Sequence, residues 1–236
     1  MGEGFRALKT AVPGPVRAVD TPAMVKEAAE RIGAIRDAMG DSVDIGVDCH
    51  GRLSPAMAIM MAKALEPHHP MFLEEPCLPE NVDTMATVAR STPIPIATGE
   101  RLFTKWGFRE VLEKQAASIL QPDPSHAGGI LECKKIAAMA ETYYASVAPH
   151  CPLGPITLAA CLQLDACTPN FLVQEQVTLG EGYLERPFEL KDGYVETPRG
   201  PGLGIELNDE LVREKVYDGT WEAPRLHHRD SSVADW

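Results

Sequence analysis

Residues 43–100 read VDIGVDCHGRLSPAMAIMMAKALEPHHPMFLEEPCLPENVDTMATVARSTPIPIATGE. Three short apolar runs sit inside this stretch. Residues 43–47 run into Asp48, Met71-Phe72-Leu73 into Glu74, and residues 94–97 stop shortly before Glu100. Each run is followed by a helix-like segment, so the pattern is strand, helix, strand, helix. A carboxylate at the end of a buried strand is costly unless something neutralises it. Three of them in phase with three strands point to one shared partner, a hard divalent cation bound through oxygen.

The same alternation extends in both directions. A strand over 5–12 leads into a Pro13-Gly14-Pro15 turn. Thr21-Pro22 reads as an N-cap with proline at the first helical position, and Val25, Ala28, Ile32, Ile35 and Met39 recur at helical spacing before Gly40 stops the helix. Ser54-Pro55 opens the next helix, with Met57, Met60, Met61, Ala64 and Leu65 apolar. Beyond Glu100 the spacing predicts helices over 106–114, 129–143 and 155–164, and strands over 117–121, 145–148 and 171–173. These strands run to Asp123, His150 and Glu175. Then the pattern stops. Asp192-Gly193 and the Gly/Pro-rich 198–204 read as turns in an irregular or hairpin tail.

Regular alternation of strands and helices implies parallel strands with helical crossovers. Asp48, Glu74, Glu100, Asp123, His150 and Glu175 follow one another at intervals of 23–27 residues. A doubly wound sheet has similar spacing, but it strings its strand ends along an edge. A barrel points them all at one mouth, where its chemistry sits. The expected fold is therefore an α/β barrel of the TIM type, residues 1–180, with residues 181–236 as a tail packing on it. Seven strands are counted, the first carrying Lys9 at its end, where a barrel has eight. The expectation is a barrel that begins near its second strand and lacks its first.

Composition narrows the function. The chain has 236 residues, is 44% hydrophobic and 24% charged, and carries a net charge of −12. That suits a soluble globular protein without a nucleic-acid partner, because no basic patch stands out to neutralise phosphates. No stretch approaches the ~20 apolar residues of a membrane span, and the first residues lack a signal-peptide core. The six cysteines form no C-x-x-C pair and several lie in apolar runs, so buried free thiols in a reducing cytoplasm are expected.

Further groups join the carboxylates. His50 lies two residues past Asp48, on the same side of an extended strand. His150 ends a later strand, and Asp123 ends the strand before it. An aspartate beside a histidine favours the imidazolium and fixes the ring tautomer, as a general base requires. Glu175 can hydrogen-bond a developing enolate or be structural. Lys9 can bind a substrate carboxylate, act as a base, or do neither. His68-His69 and His227-His228 sit in turn-like stretches, and Gly200-Pro201-Gly202-Leu203-Gly204 lacks the strand–helix unit of a dinucleotide loop.

Asp48-Cys49-His50-Gly51, Leu73-Glu74-Glu75-Pro76, Thr98-Gly99-Glu100-Arg101, Gln121-Pro122-Asp123, His126-Ala127-Gly128-Gly129 and Ala148-Pro149-His150 together resemble the enolase superfamily, mandelate racemase subgroup. Residues 148–155, Gln174-Glu175-Gln176 and the closing Ser232-Val233-Ala234-Asp235-Trp236 are most similar to its members that dehydrate D-galactonate. The resemblance implies Asp48, Glu74 and Glu100 as ligands of one Mg²⁺ per subunit, His150 oriented by Asp123 as the base, and His50 as the acid. It further implies Lys9 and Glu175 at the substrate, with a lyase reaction giving a 2-dehydro-3-deoxy sugar acid. Gluconate or arabinonate is the alternative substrate, and a homo-oligomer the expected assembly. Racemases of the subgroup carry Lys-x-Lys on the second strand. Here Lys9-Thr10-Ala11 has alanine at the second position, which favours dehydration. Family members also carry an N-terminal capping domain that this chain is expected to lack, so weak activity or an inactive barrel is a further expectation. A metal-dependent hydrolase barrel would want a His-x-His pair at an early strand end, which is absent.

Overall fold

The computed structural model describes residues 4–11, 15–223, 225–228 and 230–234. The 13–15 turn and the last two residues of the 232–236 motif fall at least partly outside them. The described chain is an α/β fold built on a parallel sheet of strand order β1-β2-β3-β4-β5-β6. The strands are β1 (Ala7–Ala11), β2 (Asp44–Asp48), β3 (Phe72–Glu74), β4 (Ile96–Thr98), β5 (Ile119–Leu120) and β6 (Ser146–Val147). Helices α1 (Pro22–Met39), α2 (Pro55–Leu65), α3 (Val82–Ala89), α4 (Thr104–Glu113), α5 (Ile130–Glu141) and α6 (Pro155–Asp165) alternate with them.

The chain divides into two compact units. One comprises Arg6–Thr98, Arg109–Ile119 and the described residues after Pro224. Its core is strand residues Ile45, Val47, Leu73, Ile96 and Ala97 under the faces of α1 and α2, with Ala28, Ile32, Met57, Met61 and Leu65 all buried. Pro22 and Pro55 start α1 and α2 because an N1 position needs no N–H. The Ser54 hydroxyl accepts the Met57 N–H (3.4 Å), and the Asn81 side chain caps α3 by accepting the Thr84 N–H (3.2 Å). Arg36 closes α1. Its guanidinium donates to the carbonyls of Gly40, Val43, His68 and His69 at 2.6–3.1 Å. Met60 is 42% exposed, off the helix face that the core uses.

In this unit the register is parallel throughout. Ala11 pairs with Asp48, Asp48 with Glu74, and Glu74 with Ala97. A Cβ on Gly46 would come 2.6 Å from the Phe72 ring, so the close packing of β2 on β3 requires glycine there. Lys9 is not at the end of its strand. It is the third of the five residues of β1, opposite Gly46, because the β1–β2 ladder continues to Ala11.

The other unit contains Gly99–Phe108 and Leu120–Ala223. Helices α5 and α6 bury Cys133, Ile136, Ala137, Leu158, Cys161 and Leu164. The strand read over 171–173 shrinks to a bridge between Phe171 and Val147. Only two backbone bonds support it, Val147 N–H to Asn170 O and Leu172 N–H to Val147 O, each 2.8 Å. That ladder is too short for a regular strand, so Glu175 ends an extended segment rather than a strand. The tail holds a hairpin at Asp192-Gly193, as the turn signal suggested, β7 (Leu190–Lys191) with β8 (Tyr194–Val195), and also a short helix α7 (Asp209–Glu214), capped by Asn208, that the turn signals do not indicate. Asp192 and Gly193 both have positive φ (54° and 86°), the two-residue geometry that matches strand twist. Leu179, Phe188 and Val195 pack on Cys151, Leu158, Cys161 and Leu162. No described helix is long and apolar enough to cross a membrane.

Candidate active site

In the first unit, register brings two acids side by side. Asp48 and Glu74 are paired ends of β2 and β3, 3% and 0% exposed. Three backbone bonds staple this end of the sheet: Cys49 N–H to Glu74 O, Gly51 N–H to Glu75 O and Glu75 N–H to Ala97 O, at 2.7–2.9 Å. Past Asp48 the chain turns sharply. Asp48 Oδ1 accepts the His50 N–H (2.9 Å), and His50 and Gly51 take left-handed φ of 50° and 70°. This turn folds the imidazole back, with Nε2 3.2 Å from Asp48 Oδ2. From mid-β1 the Lys9 stem carries its ammonium to 2.9 Å from Glu74 Oε1 and 3.4 Å from Asp48 Oδ2. One ammonium, 24% exposed, faces two buried carboxylates. An all-oxygen donor pair carrying more negative charge than its lysine offsets suits a hard divalent cation.

In the second unit the acid–histidine pair forms. Asp123 follows β5 and is fully buried. Its Oδ1 accepts the Ser125 N–H (2.7 Å), which leaves Oδ2 for His150 Nδ1 at 2.9 Å. His150 Nε2 lies 3.0 Å from Glu100 Oε2, and Arg101 Nε is 3.4 Å from Glu100 Oε1. The Glu175 Oε2 accepts the N–H of Cys151, the residue after His150 (2.8 Å). Burial disfavours the His150 charge, but the hydrogen bonds to Asp123 and Glu100 and the nearby Glu175 outweigh it and raise its pKa to about 10. For Asp123, burial works against ionisation. The His150 and Ser125 hydrogen bonds win, and its pKa is lowered.

Glu100 owes its place to glycine. At Gly99 (φ 157°) a Cβ would come 2.6 Å from the Gln121 backbone, so the chain can pass only without a side chain. His126 had no role in the sequence reading beyond its motif. The structure sets its Nδ1 3.4 Å from the Glu100 carbonyl and 3.9 Å from Asp123 Oδ2, with its ring centroid 6.4 Å from that of His150. Its position three residues after Asp123 was the available signal.

The model of the enolase C-terminal domain-like family matches residues 1–211. The chain is 47% identical over 230 residues to a D-galactonate dehydratase of Ralstonia pickettii (strain 12J), and 43% identical over 230 residues to one of Cronobacter sakazakii (strain ATCC BAA-894). Both alignments cover 92% of this chain and 60% of the relative, so the chain spans 60% of the length of these curated relatives. Among solved structures, an enolase from Agrobacterium radiobacter with sodium and L-malate bound superposes with a TM-score of 0.88 at 31% identity, covering 98% of this chain and 63% of that one. A member of the enolase superfamily from Salmonella Typhimurium gives 0.84 at 32%, covering 90% and 58%. With parallel strands that end in these acids and histidines, and a family match over most of its length, the chain belongs to the enolase C-terminal domain-like family.

Proposed function

We propose that this chain carries the site of a Mg²⁺-dependent sugar-acid dehydratase, with D-galactonate as substrate and 2-dehydro-3-deoxy-D-galactonate as product. The observation that carries the reading is His150, buried and held through Nδ1 by Asp123 at 2.9 Å. That contact fixes the ring, and Nε2, 3.0 Å from Glu100 Oε2 in the metal-free fold, would be the working nitrogen with Glu100 held by the cation. Asp48, Glu74 and Glu100 are the proposed ligands of one cation. When bound, the cation supplies positive charge to the substrate carboxylate, whose α-proton is otherwise very weakly acidic.

The chain's own groups then do the rest. His150 Nε2 takes the proton from C2, and the electron pair moves into the C1–C2 bond. The bond from C3 to its hydroxyl breaks as the electrons return. His50 gives its proton to the departing hydroxide, which leaves as water. The enol becomes the 2-keto acid by a further proton shift. Lys9 offsets charge at Asp48 and Glu74 and can reach a substrate carboxylate. Glu175 braces the backbone beside His150 and adds negative charge there. Dehydration of another aldonate, gluconate or arabinonate, is the alternative reading. Cytoplasmic location and a homo-oligomeric assembly complete the proposal.

The test is exchange of the C2 proton in D₂O, followed by NMR with Mg²⁺ and a panel of aldonates, alongside trapping of the 2-keto product. His150→Asn is expected to abolish exchange. His50→Asn is expected to keep exchange and slow loss of the 3-hydroxyl. Retained exchange in His150→Asn would remove His150 as the base.

A further inference from the structure

The first unit contains a cavity of about 620 Å³ that the proposed chemistry leaves unused. Ligand pockets commonly fall between about 300 and 1,000 Å³. Arg17, Arg52 and His228 line it, and among the described residues its lining contains a single acid, Glu80. Arg52 is the central observation. Its backbone is fixed by a bridge to Cys77 and by its N–H to Cys49 O (3.1 Å). Its Nε is buried, yet makes no hydrogen bond. Arg52 also lines the cavity, where its guanidinium offers an anion a fixed charge and paired donors. Arg17 spends one donor on Asp20 (3.3 Å) and keeps the rest of its fork.

Two helix starts add to this field. Ser54 and Asn81, the capping residues of α2 and α3, both line the cavity. The N-terminal end of a helix favours negative charge. Two arginines and two helix starts stand against Glu80 in the lining and Asp20, which pairs with Arg17, a balance that favours an anion.

We propose that this cavity is a binding site for a small oxyanion, a phosphate ester or a carboxylate, with Arg52 as its anchor. Gly51 also lines the cavity, and its N–H holds Glu75 O at 2.7 Å. An occupant therefore touches the turn that carries His50, which gives the site a route to act as an effector site.

The experiment strips metal with EDTA, removes the EDTA by dialysis, and titrates the metal-free chain with inorganic phosphate and separately with malonate, read by isothermal calorimetry. Saturable binding of either is expected, and the tighter of the two identifies the anion class. Arg52→Met is expected to raise the Kd about tenfold or more, equivalent to about 1.4 kcal/mol. Glu80→Gln removes the opposing charge and is expected to tighten binding, a sign that damage to the fold would not give. Lys63→Met, an exposed cation outside the cavity, is expected to change nothing. Absence of saturable binding up to about 20 mM of both anions, or an unchanged Kd in Arg52→Met, overturns the proposal. So does weaker binding in Glu80→Gln. The readout needs neither Mg²⁺ nor turnover, so failure of the dehydratase reading would leave it intact.

Discussion

His150 Nδ1 lies 2.9 Å from Asp123 Oδ2, and the other Asp123 oxygen is fixed by the Ser125 N–H at 2.7 Å. The carboxylate therefore has one orientation, and it imposes one on the imidazole. Asp123→Asn keeps the shape and removes the charge. The expected loss of C2-proton exchange is about 10²–10⁴-fold, the range in which positioned acid–base groups act. Nitrogen chemical shifts of His150 should report the change of tautomer, and an unchanged exchange rate would show that Asp123 does not orient the base.

The His150 contacts also set a pH dependence for the metal-free chain. Its pKa is about 10 in the fold against an ordinary 6.5. A group raised on folding adds stability that is complete below its unfolded pKa and is lost as pH climbs through the folded one. Stability of the metal-free chain should therefore fall between about pH 6.5 and 10, and His150→Asn should flatten that slope. Urea midpoints across this range in EDTA measure it.

Asp165, the last residue of α6, works in the same direction from a different cause. Burial alone pushes its pKa from 3.8 to about 8, and neither carboxyl oxygen finds a hydrogen-bond partner. The folded state keeps the proton longer than the unfolded state, so stability drops as pH rises from about 4 to 8. Asp165→Asn should raise the thermal midpoint at pH 8 and give little gain at pH 4. An equal gain at both values would show that the charge is not what matters.

Arg36 donates to four carbonyls from three stretches of chain, at the end of α1, before β2 and before β3. Arg36→Met should cost about 1–3 kcal/mol by urea unfolding, because the part-buried carbonyls of Val43 and His68 lose their donor while the exposed carbonyls of Gly40 and His69 turn to water. Arg36→Lys should recover only a fraction, since an ammonium cannot reproduce the planar fork.

Gly99→Ala introduces a Cβ 2.6 Å from the Gln121 backbone. Backbone must move, and Glu100 moves with it. The expected outcome is a loss of about 1–3 kcal/mol together with weaker Mg²⁺ binding by calorimetry. Gly107→Ala, where the nearest atom is an ordinary 3.7 Å away, is the control that should do neither.

The six parallel strands and most of the helices between them were legible in the chain itself. Apolar runs of three to six residues ended in polar groups at a regular interval, and Pro22, Gly40 and Ser54 marked helix ends through chemistry local to each position. The same regularity gave Asp48, Glu74, Glu100, Asp123 and His150 their places. Local signals could not show that β1 runs two residues past Lys9, because strand length is set by the neighbour it pairs with. Nor could they show that the run at Phe171 shrinks to a bridge, or that Asp209–Glu214 forms a helix. Tertiary structure alone decided which partners meet: His126 beside Glu100, Glu175 on the Cys151 N–H, Arg52 at the wall of a cavity and Asp165 without a hydrogen-bond partner. Periodicity specifies where a side chain sits along its element and on which face. What that face meets is fixed by packing between segments far apart in the chain, and no single segment encodes it.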